Sequence, residues 1–392
     1  MHYDFDEVHN RLGTYCTQWD YIEDRFNKKD LIPFSISDTD FIIPKPITKK
    51  IHEVADHQIY GYTRWNHHDF KSSITTYFKR RFDTDMEEDW ILYSPSVMYS
   101  VSLLIRLLSQ PHDKVLTMNP MYDAFINVIK ENDRELLSHH LIKEEGTFKI
   151  DFDVFEKQAQ ESTLLLLCSP HNPTGRIWSD EEMHRMIEIC KKYQVKIISD
   201  EIHMDIRIKD AKHHPLMKYY GEYKDIFTAS SSSKTLNTPG LIGSYVIIPD
   251  EKIRDEFLGV TRRDFLNSAS IFGMYATMIG YTECDDYIDQ LNEYIRGNME
   301  LVENFIRDEL KDFKFQRPEA TYLAWIDARD VPFTSDEIQD ALVNVGGVAI
   351  MKGEIYGENG AKYLRMNLGC PRSKIEEGLK RFKKAMDYLY NK

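Results

Sequence analysis

An amide, a carboxylate and an amine follow three successive apolar runs in this chain. Asn172 comes just after TLLLLCSPH, Asp200 closes VKIISD, and Lys234 follows DIFTASSSS. A lysine attacks a carbonyl readily only where its surroundings lower its proton affinity. A buried carboxylate keeps a heterocyclic nitrogen protonated, so that the ring can withdraw charge from an attached carbon. A fixed amide N–H suits a phenolic oxygen. Pyridoxal phosphate (PLP) makes all three demands at once. Lys234, Asp200 and Asn172 are therefore read as its aldehyde anchor, ring-nitrogen partner and ring-oxygen donor. Singly, each has a plainer reading: a surface lysine, a helix cap, a turn former. Their shared placement is what carries the assignment.

A phosphate needs backbone N–H groups, best supplied by the start of a helix. LYSPSVMYSVSLLIRLL offers a strand, then Ser96 as N-cap, then a helix beginning near Val97. The amides of Val97 and Met98 would face the anion, and the hydroxyls of Ser231 and Ser233 stand beside the lysine. Tyr122, which follows a strand end and Pro120, is placed to lie on the pyridine ring.

The elements that must position these residues follow from hydrophobic pattern. WILYSP, KVLTMNP, TLLLLCSP, VKIISDEIH, DIFTASSSSK and SYVIIP read as strands buried on both faces. Helical spacing separates them, as at Val101, Leu104, Ile105 and Leu108. Ser179 and Glu182 form a capping box before Met183, Met186, Ile187 and Cys190. Strands alternating with helices predict an α/β fold, its mainly parallel sheet sandwiched by helices in a large domain. In such sheets ligands bind beyond the carboxyl ends of the strands, where the three residues lie. After Tyr287 a long charged helix leads to strands at TYLAWID and KYLRMNL and a last helix from Ser373. This pattern predicts a smaller α+β C-terminal domain. The expected division is an N-terminal arm at 1–45, a PLP-binding domain at 46–286 and the small domain at 287–392.

A formal charge of −14 opposes a nucleic-acid surface, so any anionic ligand needs a local site. No apolar stretch is long enough to span a bilayer. The opening MHYDFDEVHNRLG lacks the basic start and apolar centre of a signal peptide, and a cytoplasmic protein is expected. The five cysteines are scattered without a CxxC pair and are read as packed, reduced thiols. His67/His68, His139/His140 and His213/His214 lack metal-ligand spacing; they are expected on the surface, with no metal bound.

HNPTG, SDEIH and SSSSKTLNTPGL together resemble the class I/II aminotransferase superfamily of PLP fold type I. FDEVHNRLGTYCTQWD, ISDTDFIIPKPI, YGYTRW, SPSVMYSV, NPMYDAF, EATYLAWID and YLRMNLGCPR extend the likeness along nearly the whole chain. More narrowly, the chain is similar to the MalY/PatB-type C–S lyases, the cystathionine β-lyases. The resemblance implies that Lys234 holds the cofactor, Asp200 faces the pyridinium nitrogen, Asn172 contacts the ring hydroxyl and Tyr122 stacks on the ring. It implies that Tyr62 reaches the site of a neighbouring subunit, hence a homodimer with shared sites, and gives Tyr62 a catalytic part. Arg365 would clamp the substrate α-carboxylate, with Tyr322 in the side-chain pocket. Aminotransferases typically carry a phosphate-binding arginine where Ile242 stands and a tyrosine where His203 stands, and His203 is expected to contact the cofactor in its place. Both departures point to the lyase branch. Ser96 for a glycine, and Gln18 ahead of Trp19 and Asp20 for a lysine, depart from that branch as well.

The expected activity is α,β-elimination on S-substituted L-cysteines, giving a thiol, pyruvate and ammonia. Two alternatives stand beside it. One is an amino-acid aminotransferase on the same cofactor; the other is a regulatory, protein-binding role on the same fold.

Overall fold

Leu, Ile and Val fill consecutive positions in the central runs, which suits strands buried on both faces. Each such side chain contributes roughly 1.5–3 kcal/mol by leaving water. The computed structural model describes residues 1–392. Its central sheet comprises β1 (Ile91–Ser94), β2 (Lys114–Asn119), β3 (Glu135–His140), β4 (Leu164–Cys168), β5 (Lys196–Asp200), β6 (Ile226–Ser230) and β7 (Ser244–Ile247). The spatial order is β1-β7-β6-β5-β4-β2-β3. All neighbours run parallel except those beside β7. The fold is mixed α/β around a mostly parallel sheet, as the sequence predicts. Cys168, Asp200 and Ala229 are register partners, so β4, β5 and β6 end level with one another.

The edge strand β3 was not legible in the sequence. Four of its residues ELLSHH are polar and only His139 is buried, so it lacks the long apolar run that marks its neighbours. It also corrects the reading of the paired histidines. Successive side chains in a strand point to opposite faces, so His140 is exposed while His139 is buried against Phe155. His139 bonds Gln158 at 2.8 Å, and burial lowers its pKa. His213 is buried too, 3.4 Å from the Glu201 carboxylate.

Helix α1 (Val97–Leu108) packs across β5, β6 and β7, and the Ser96 side chain caps its first turn at Tyr99 N–H. Helix α2 (Asp180–Tyr193) opens on the expected capping box of Ser179 and Glu182. The long helix α3 spans Asp285–Glu309, starting two residues earlier than its pattern suggests. Asp285 and Asp286 in its first turn favour that start. A second, antiparallel sheet follows, with β8 (Leu323–Asp327), β9 (Met351–Lys352) and β10 (Tyr363–Asn367) in the order β8-β10-β9. Helix α4 (Arg372–Tyr390) closes the chain. The N-terminal segment joins this second layer: Ile32 and Pro33 pair in parallel with Val348 and Ala349. No helix is long and apolar enough to cross a membrane.

Candidate active site

The three strand ends do converge. Lys234, Asp200, Asn172, His203, Tyr122, Val97 and Met98 line one cavity of about 70 Å³, completed by Ser37, Cys168 and Ile202.

Asn172 sits in the turn after β4, and that turn is fixed from behind. Gly175 holds φ at +68°, and a Cβ there would come within 2.4 Å of Pro318 and 2.6 Å of the Ala320 carbonyl. Only glycine fits this approach. The Gly175 carbonyl accepts from Ala320 N–H at 2.9 Å, tying the turn to the chain leading into β8. Arg365, on β10, donates from Nη1 to Asn172 Oδ1 at 3.2 Å. A guanidinium only donates, so the amide oxygen is spoken for and Nδ2 remains a free donor.

Asp200 closes β5 in full burial. Its carboxyl accepts one hydrogen bond, from Ile202 N–H at 3.1 Å, and burial raises its pKa to about 7. A buried carboxylate is costly to keep charged without a paired cation, and a protonated ring nitrogen would supply one. His203 is buried with Nδ1 unpaired. Burial, with Lys234 and Arg365 nearby, lowers its pKa to about 3, so its imidazole is neutral.

Lys234 follows β6 in a short helical turn and donates from Nζ to the Ser37 carbonyl at 2.5 Å. Burial lowers its pKa, against the pull of the Asp38 carboxylate. The Tyr322 hydroxyl donates to the same carbonyl at 3.1 Å, and Arg365 Nη2 donates to the Ser35 carbonyl at 2.8 Å. Three side chains thus meet one strip of backbone at Ser35–Ser37. The Arg365 guanidinium also lies 4.6 Å over the Tyr356 ring.

At the far wall, the first N–H groups of α1 have no acceptor within the helix. Ser96 takes that of Tyr99 and leaves those of Val97 and Met98. Tyr122 is largely buried, and burial with Asp123 and Asp200 near it raises its pKa to about 12.

Other expected residues lie outside the cavity. Tyr322 and Arg365 adjoin it through their bonds to Ser37 and Asn172. Ser231 and Ser233 do not line it, and the Ser231 hydroxyl proton is committed to the Gly243 carbonyl at 2.5 Å. Tyr62 is fully exposed in a separate cleft with Arg64, Trp65 and Arg262. Ile242 is half-exposed at φ +58° and places no cation near the α1 start. Ser37, Cys168 and Tyr356 were missed as site residues. Cys168 ends an apolar run as Asp200 does and had that signal; Ser37 lies in an irregular segment and had none. A larger cleft of about 670 Å³ lies behind the Asn172 turn; five of its six cations, Lys143, Arg176, Lys314, Arg317 and Arg329, are in ion pairs, and Lys209 is not.

The sequence model of "Aminotransferase class I and II" matches residues 29–382. The chain belongs to the class I and II aminotransferase family. Within it, the chain is 37% identical to protein MalY of Escherichia coli K12, over 96% of this chain and 97% of that protein. It is 33% identical to cystathionine beta-lyase PatB of Bacillus subtilis 168, over 97% and 99%. Among solved structures, a PLP-bound protein of Clostridium difficile 630 with a provisional aminotransferase name matches at TM-score 0.96 and 34% identity, covering 98% of this chain and all of the other. The PLP-bound C–S lyase of Staphylococcus hominis matches at TM-score 0.91 and 28% identity, covering 98% of each chain. The cavity of this family member fits the same group. Asp200 offers a buried carboxyl short of a cation, Asn172 Nδ2 a free donor, and Val97 and Met98 unpaired N–H groups.

Proposed function

We propose that this aminotransferase-family protein is a PLP-dependent C–S lyase. Its reaction is the cleavage of S-substituted L-cysteines to a thiol, pyruvate and ammonia. The observation that carries the reading is the buried, cation-free Asp200 in one cavity with the partly desolvated Lys234 amine. When bound, the cofactor supplies an aldehyde to hold the amino acid and a ring to delocalise charge from its α-carbon.

The protein's residues do the rest. Lys234 would hold the cofactor aldehyde, and its amine would remove the substrate Cα proton as general base, a task favoured by its lowered pKa. Asp200 would hold a proton on the ring nitrogen, Asn172 Nδ2 would donate to the ring oxygen, Tyr122 would cover the ring, and the Val97 and Met98 N–H groups would hold the phosphate. Arg365 orients the substrate α-carboxylate, a geometry suited to its fork of donors. As the Cβ–S bond breaks, the sulfur keeps the electron pair and takes a proton from Lys234. Addition of water and loss of ammonia give pyruvate. The 33% identity to cystathionine beta-lyase PatB, and Ile242 and His203 at their positions, support elimination over amino-group transfer.

The reading includes a homodimer. Ile59, Tyr60, Tyr62, Ile242 and Phe265 are exposed large apolar residues, and a second copy would cover them and bring Tyr62 toward the neighbouring cavity. It also retains the division at residues 45 and 286, supported by the separate sheets and by the pairing of Ile32–Pro33 with the C-terminal layer. A cytoplasmic location accords with five free, buried cysteines.

The test is purified protein with PLP and L-cystathionine, scored for pyruvate and thiol. The expected result is equal amounts of both without any added 2-oxo acid. Product that forms only when a 2-oxo acid accepts the amino group would replace this reading with an aminotransferase.

A further inference from the structure

Asp205 is a buried carboxyl that takes no part in the cavity chemistry described above. It is 2% exposed and lies in the segment that follows β5 and carries His203. One of its oxygens accepts from the Tyr77 hydroxyl at 2.5 Å, the other from Thr235 Oγ1 at 3.0 Å. Thr235 directly follows Lys234 in the helical turn Ser233–Leu236. A single side chain therefore joins the segment leaving β5 to the turn leaving β6.

The tie bears on direction. Neighbouring residues on a helix diverge by about 100°. Thr235 is buried against Asp205, while Lys234 lines the cavity. Holding the Thr235 hydroxyl fixes the rotation of the turn, and with it the line along which the Lys234 amine leaves the backbone. A helical segment of four residues has little rigidity of its own, so an outside tie matters here.

Asp205 is itself held from two other elements. Tyr77, on the helix His68–Phe82, stacks on Tyr281 with ring centroids 4.0 Å apart. Asn292, on α3, donates from Nδ2 to the Asp205 carbonyl at 2.9 Å and accepts at Oδ1 from Arg207 N–H at 3.2 Å. Apolar side chains could fill the same space at less cost than a buried carboxylate. What the carboxylate adds is two directed hydroxyl bonds.

We propose that Asp205 is a positioning residue for Lys234. Through Thr235 it sets the place of the amine relative to Asp200, the two groups that must meet one cofactor. The inference rests on Lys234 as cofactor anchor and base, and it holds for elimination and amino-group transfer alike. A misplacement of about 1 Å between reacting groups costs on the order of 10²-fold in rate.

Two substitutions of Thr235 separate the bond from the packing. Thr235→Val keeps the shape and loses the hydroxyl; Thr235→Ser keeps the hydroxyl and loses a methyl group. For each, PLP uptake by cofactor-free protein is followed by absorbance, and pyruvate release from L-cystathionine gives kcat and KM. Thr235→Val is expected to slow PLP uptake and to lower kcat by about 10- to 100-fold, with KM changed by less than about threefold. Thr235→Ser is expected to match the wild type in all three. Asp205→Asn should lower kcat as Thr235→Val does, and the double variant should lose little more, because both changes remove one bond. Wild-type behaviour in Thr235→Val, equal impairment in Thr235→Ser, or fully additive losses in the double variant would overturn the inference. Wild-type protein that takes up no PLP would instead sink the reading of Lys234 itself.

Discussion

The candidate site is built from two halves held in different ways. Asn172, Asp200 and Lys234 stand at the ends of β4, β5 and β6, where strand register aligns them. The segment from Ser35 to Asp40 has no regular structure and is tied by side chains instead. Asn367 donates from Nδ2 to the Ile36 and Asp38 carbonyls at 2.5 and 2.6 Å. Asn237 does the same for Thr39 and Phe41, and Arg11 and Lys374 both bind Asp40. The rigid half presents the groups that suit a cofactor. The tied half presents Ser37 and reaches Arg365 and Tyr322. The groups that suit the cofactor thus lie on the sheet, and the backbone that meets Lys234, Arg365 and Tyr322 lies on the strap.

That contrast predicts that variants in the two halves fail differently. Lys234→Ala is expected to lower kcat by roughly 10³-fold or more, the range for loss of a general base together with the cofactor anchor. Steady-state pyruvate release checks it, and partial rescue by a small added amine would locate the lost function at the proton transfer.

Asp200 should act through pH. Its folded pKa of about 7 lies above its ordinary carboxyl value, so between these two the folded chain binds a proton that the unfolded chain does not. The stability of cofactor-free protein should therefore fall as pH rises through that window, by up to roughly 4 kcal/mol relative to Asp200→Asn. Urea unfolding of both proteins across the window measures the difference. PLP, by giving the carboxylate a cation, should flatten the slope. Parallel pH profiles for the two proteins without PLP would break the assignment of Asp200.

Arg365→Lys keeps a charge but loses the fork. It is expected to lower kcat/KM by about 10- to 100-fold, mostly through KM. Smallest is Asn367→Ala, which unties Ile36 and Asp38. It should cost about 1–3 kcal/mol of stability and raise KM for every substrate more than it lowers kcat. A loss confined to kcat would contradict the division between the halves.

The legibility of the sequence follows the same line. Apolar runs reveal strands buried on both faces, and so β4, β5 and β6 and the residues at their ends could be read directly. Ser96 and the capping box of Ser179 and Glu182 were legible because capping is local chemistry. The strap was not, since Ser37 carries no periodicity and owes its place to Asn367, more than 300 residues on. Strand β3 escaped because this edge strand has only two adjacent apolar residues, Leu136 and Leu137, among polar ones, which also hid the burial of His139. Arg365 could be assigned only through the family resemblance. Its bond to Asn172 depends on a contact between two sheets that no local pattern records.

Reduction with borohydride tests the central claim most directly, because it makes permanent any link between a lysine and the cofactor aldehyde. Protein loaded with PLP, reduced and digested should carry the pyridoxyl mass on the peptide containing Lys234. A label on another lysine, or on none, would contradict the account.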